Sequence, residues 1–175
     1  MRRSRQAVYA LAIAGLASAA CVVLIFILAS RDSGKVSQAR GPGALEADHG
    51  RAHDRAAAAT PPDAPPTSGP HLPRNVTRDG VALTNDQLLQ ALELGDVVLA
   101  YDPATPAAPL RRLQRAVSGP FDPELAAAGQ MVVLEPRPGV HGVIALAWRR
   151  RVRAASAADP RLRAFSEAWL GRGAG

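Results

Sequence analysis

Hydrophobic residues open the chain as one unbroken run and return, after residue 80, as short segments with helix-like or strand-like spacing. Ala7 to Ala29 is 23 residues without a charge, and its polar members are Tyr9, Ser18 and Cys21. At about 1.5 Å rise per residue it makes a helix of roughly 34 Å, enough to cross a hydrocarbon core. Farther on, Thr84 reads as an N-cap with Gln87 three residues later; Leu88, Leu89 and Leu92 then share one face before Gly95. Val97 to Tyr101 reads as a buried strand closed by Asp102-Pro103. Pro109 opens a helix with Leu110, Leu113 and Val117 on one side, ended by Gly119. Met131 to Leu134 is a second strand, stopped by Pro136 and the Pro138-Gly139 turn, and Val143 to Trp148 is a third. Asp159-Pro160 caps a last helix with Leu162, Phe165, Trp169 and Leu170 facing inward.

These segments divide the chain into a tip (1–6), a transmembrane helix (7–29), a linker (30–65) and a small mixed α+β domain (66–173). The apolar run exceeds the 7–15 residues of a usual signal-peptide core. Ser18-Ala19-Ala20-Cys21 resembles a lipoprotein cleavage site, but Val22 to Leu28 continue the apolar run past the cysteine. The expectation is an uncleaved single-pass anchor in the cell membrane. Arg2, Arg3 and Arg5 precede it, against Arg31, Asp32 and Lys35 after it, which puts the N-terminus in the cytoplasm and the domain outside. The linker holds almost no large apolar group, so it reads as flexible coil. Within it His49 and His53 stand four apart and read as solvated side chains.

Composition narrows the function. A single Cys excludes a disulfide framework within the chain and a cysteine-based metal site. The net charge is +6, but the domain's share is only +3, from 13 basic and 10 acidic residues. Aromatic content is 4%. Neither figure fits a nucleic-acid partner, nor does a position outside the membrane. The one dense basic cluster is Arg149, Arg150, Arg151 and Arg153. It reads either as a solvated strand end or as a contact for anionic lipid head groups.

Pro65-Pro66-Thr67-Ser68-Gly69-Pro70-His71 resembles the opening signature of the bacterial family known as domain of unknown function 3105. The likeness continues through Gln90-Ala91-Leu92-Glu93-Leu94-Gly95, the Pro136-Arg137-Pro138-Gly139 turn, Ala147-Trp148 and the terminal Arg163-Ala164-Phe165 helix. The resemblance implies a membrane-anchored extracytoplasmic domain. Family members carry His-Asn-Leu-Glu-His-Gly in the second motif; here Gln90 and Leu94 stand where its two histidines would be. The motif candidates are therefore Thr67, Ser68, Gly69, Pro70, His71 and Glu93. If a Cu or Zn site survives, its candidate ligands are His71 and His141, with Glu93 as a further donor. No cofactor is otherwise implied.

Catalysis has little support. Ser68 and His71 lack a third group to orient the base, and no nucleophile elbow, phosphate loop or dinucleotide fingerprint occurs. Glu93, Asp96 and Asp102 read as helix-end and turn groups. The reading is an anchored, non-catalytic interaction domain meeting an unidentified protein partner; the alternative is a metal-binding domain with a degenerate histidine site.

Overall fold

The computed structural model describes residues 41–105 and 107–175. The expected anchor at 7–29 lies outside the described residues, and among those described no helix is long and apolar enough to cross a membrane. Gly41–Gly175 forms one compact unit.

Strand β2 (Val97–Tyr101) explains the architecture. Alternation sends Val97, Leu99 and Tyr101 to one face and Val98 and Ala100 to the other, and all five are buried. A strand apolar on both faces needs cover on both. Helices α1 (Asn85–Leu94) and α3 (Pro123–Ala127) supply one layer, where Leu88, Leu92 and Ala126 pack with Val98, Ile144 and Leu146. Helices α2 (Ala107–Val117) and α4 (Pro160–Trp169) supply the other, where Leu110, Leu162 and Phe165 pack with Val97, Leu99 and Ala145. Fully burying each such side chain contributes about 1.5–3 kcal/mol. The domain is mixed α+β, with helices on both sides of one sheet.

Among the described residues the sheet has five strands in the order β1 (Ala44–Leu45), β5 (Arg150–Ala154), β4 (Val143–Ala147), β2, β3 (Val132–Pro136). Strand β3 runs parallel to β2, and the remaining pairs are antiparallel. The outer edge of β3 is covered by side chains: Ser118 Oγ accepts from Val132 N at 3.0 Å and Asp79 Oδ1 from Leu134 N at 2.8 Å. Gln114 Nε2 donates to Val132 O at 2.8 Å. That edge is therefore not open to another chain. The predicted caps form: Thr84 and Gln87 make the reciprocal capping box on α1, and Asp159 accepts from Arg161 N at 2.9 Å on α4.

Three features depart from the sequence expectation. The linker expected over 30–65 is packed from residue 41 onward, as a strap along the domain. Its start adds β1 to the sheet, and its middle supplies carbonyl acceptors to the signature loop, where Gly69 N donates to Gly50 O at 2.8 Å and His71 N to Ala52 O at 2.9 Å. The basic cluster lies on β5 and the turn before it, and short α3 joins the first face.

Candidate metal centre

Glu93 leaves the last turn of α1, and the chain's C-terminal tail closes over that helix end. Ala174 N donates to Glu93 O at 2.9 Å, and a Cβ on Gly173 would stand 2.0 Å from the same oxygen, so only glycine permits the approach. His71 comes from the signature loop. Gly69 there has φ +143, a left-handed conformation that favours glycine, and this turn brings its carbonyl within 2.9 Å of His71 Nδ1. His53 comes from the strap.

The three side chains converge. His53 Nε2 lies 2.9 Å and His71 Nε2 3.2 Å from one carboxylate oxygen, Glu93 Oε2. The two rings stand edge to face with centroids 4.9 Å apart. All three candidate ligand atoms fall within 4.8 Å of one another. His71 is fully buried, while 42% of the His53 side chain is exposed, so the cluster is sealed beneath and open above. Trp148 flanks it, its ring centroid 6.5 Å from that of His71.

The hydrogen-bond pattern of His71 is informative. Gly69 O can only accept, so Nδ1 of His71 carries the proton, and in the neutral ring Nε2 is left as an acceptor. That atom is buried, makes no hydrogen bond, and faces another acceptor, the Glu93 carboxylate. Two acceptors at that separation repel unless a proton or a metal cation sits between them. Donation of the second ring N–H to a backbone carbonyl is also how metal-bound histidines are oriented. Four ligands at about 2.0–2.1 Å from a tetrahedral Zn(II) stand about 3.3 Å from one another, close to the two spacings found here. The residues present fit a Zn(II)- or Cu(II)-like ion held by two imidazoles and one carboxylate, with a solvent-facing position left for water or a further ligand.

The surrounding polar groups fix the strap. Asp86, two helical turns before Glu93, accepts from Ala57 N at 2.6 Å and Leu72 N at 3.1 Å. The Ala57 N–H, helped by that of Leu72 and by Arg74, holds the Asp86 carboxyl below its ordinary range against the opposing effect of burial. Thr67 donates to Glu46 Oε2 at 2.8 Å, and Ser68 Oγ donates to Ala47 O at 3.1 Å while accepting from His49 N at 3.0 Å. Ser68 thus bonds the strap and not His71. The motif residues Thr67, Ser68 and Gly69 are buried beneath that strap, with Pro70 partly covered.

Two sequence expectations need correction. His141 is not the partner of His71. It is exposed on the loop before β4 and lines a cleft with Asp102 and Ser156, whereas His71 lies against Trp148 just beyond the other end of that strand. A five-residue strand of about 17 Å separates the two ends. Nor do the four arginines form a free face for lipid. Arg149 pairs with Asp48 at 3.2 Å and Arg151 with Glu46 at 3.0 Å; Arg153 donates to Asp63 O, and Arg150 is buried over the Trp169 ring at 4.7 Å. Sequence reasoning missed His53 because the strap looked like solvated linker. The available signal was the placement of acids Glu46, Asp48 and Asp63 ahead of a basic cluster they could neutralise. Gln90, at the first replaced histidine, lies one turn before Glu93; it is buried, and its Oε1 has no partner. Asp96 accepts from Met131 N at 2.8 Å and Asp102 from Ala104 N at 2.7 Å, so both serve structure.

Residues 54–174 match the family model described as Protein of unknown function (DUF3105). No curated protein and no solved structure matches the chain.

Proposed function

The chain belongs to the DUF3105 family, and on that premise we propose that it is a membrane-anchored protein whose domain outside the cytoplasm binds one divalent transition-metal ion, Zn(II) or Cu(II), through His53, His71 and Glu93. The observation that carries the metal reading is the buried Nε2 of His71, turned as an acceptor toward a carboxylate 3.2 Å away with His53 Nε2 on the same oxygen. The uncharged run at 7–29 and the arginines before it support the anchor and its orientation. Two imidazoles and a carboxylate suit borderline ions better than Ca(II) or Mg(II), which take all-oxygen shells. The ion binds without a catalytic partner assigned to it, and the accessible His53 side suits capture or transfer of metal, or presentation of the metal to a protein partner.

Calorimetric titration of the full chain in detergent micelles with Zn(II), and separately with Cu(II), tests this. One equivalent binds, and His53→Ala weakens binding by more than about 100-fold, beyond the 10–100-fold that losing an outer partner costs. His141→Ala leaves affinity unchanged. Absence of binding by either ion, or loss of it in His141→Ala with His53→Ala unaffected, overturns the metal reading. Digestion of intact cells with an external protease tests the topology: a domain protected until the cytoplasm is opened contradicts it.

A further inference from the structure

The metal ligands are divided between the domain and the strap: Glu93 belongs to α1, His71 to the signature loop, and His53 to the strap of residues 41–65. The strap is anchored by polar contacts and buries little large apolar surface. Its one large aliphatic side chain, Leu45, is 57% exposed. Its start is fixed by the β1 pairing and by Trp169 Nε1 donating to Pro42 O at 2.8 Å. The stretch around His53 is held by backbone bonds at Gly50 and Ala52, by Asp86 at Ala57, by Asn85 at Ala58, and by the ion pairs of Glu46 and Asp48. Segments with few buried apolar contacts open locally at low cost. Beneath it lie Thr67 and Ser68, each 3% exposed, and a cavity of about 430 Å³ bounded by strap residues such as His49 and Thr60 on one side and by Leu89 and Arg151 on the other.

We infer that metal occupancy clasps the strap to the domain: the ion joins His53 to His71 and Glu93 and keeps the Thr67–Pro70 loop and its cavity closed, and release of the ion opens them. This rests on the proposed metal site and adds its regulation. Because linkage is reciprocal, a docked strap raises metal affinity by the factor that metal lowers strap opening. With free Zn(II) at 100 times its dissociation constant, and little affinity in the open form, the open population falls about 100-fold.

Arg51 and Arg55 are both exposed and flank His53, which makes them reporters. Limited trypsin digestion of the full chain in micelles, with Zn(II) or with chelator, reads opening as cleavage after these two residues. Zn(II) slows both cleavages at least about 10-fold in the native sequence, and cleavage after Arg78, exposed in the loop before α1, keeps its rate. His53→Ala is not protected, and His53→Asp, which restores a ligand, recovers protection. Calorimetric Zn(II) binding with unchanged cleavage at Arg51 and Arg55, or equal protection of His53→Ala, overturns the clasp and leaves the site standing. No Zn(II) binding overturns both.

Discussion

Strand β4 and the strap belong to the same compact unit but are held by opposite means. Every residue of β4 is buried, and its neighbours are apolar on both faces of the sheet. The strap from residue 41 to 65 offers the domain mostly small residues, backbone carbonyls and carboxylates. The difference separates stability from responsiveness: apolar burial fixes the sandwich, while polar contacts hold a cover that can lift. The proposed metal site, His53 with His71 and Glu93, lies on the seam between strap and domain and takes side chains from both.

The largest test of that contrast strikes the core. Phe165, on α4, is fully buried against the sheet, so Phe165→Ala lowers unfolding free energy by about 3–5 kcal/mol, read by urea denaturation. Next is a buried acid of the sandwich. Burial pushes Asp96 up to about 8, against the opposing Met131 N–H. The folded state then keeps a proton that the unfolded chain loses near pH 4. Between those values the native state binds more protons, so stability falls as pH rises, by about 1.4 kcal/mol per pH unit until it levels off near pH 8. Asp96→Asn flattens that slope in unfolding curves taken at pH 5, 6 and 7.

Smaller effects belong to the cover. Gly69→Ala forces a side chain into the left-handed turn that aims the Gly69 carbonyl at His71; it costs about 1–3 kcal/mol and weakens Zn(II) binding together with stability. Glu46→Ala removes a partly exposed pair with Arg151 and the acceptor of Thr67. It costs about 1 kcal/mol or less in global unfolding, yet hydrogen exchange speeds at the Gly69 and His71 amides. A large global loss from Glu46→Ala would erase the distinction between sandwich and strap.

The same contrast governs what the sequence reveals. Helices α1, α2 and α4 and strands β2, β3 and β4 are legible because burial imposes apolar spacing and their ends carry Thr84, Asp159 and Gly95. Strand β5, Arg-Arg-Val-Arg-Ala, is not, because its cationic side chains are neutralised or covered by groups distant in sequence, Glu46, Asp63 and Trp169. Likewise His71 and Glu93 stand out within motifs, whereas His53 gains meaning only from a carboxylate 40 positions away. Composition recognises a core by its apolar groups and has no comparable signal for a segment docked through its backbone.

X-ray absorption at the zinc edge of the Zn(II)-loaded full chain counts the imidazoles that His53 and His71 bring to the ion. The expected spectrum has a shell of nitrogen and oxygen at about 2.0–2.1 Å, with outer scattering from two imidazoles in the native sequence and one in His53→Ala. A shell containing sulfur, or the same imidazole count in both proteins, would contradict it.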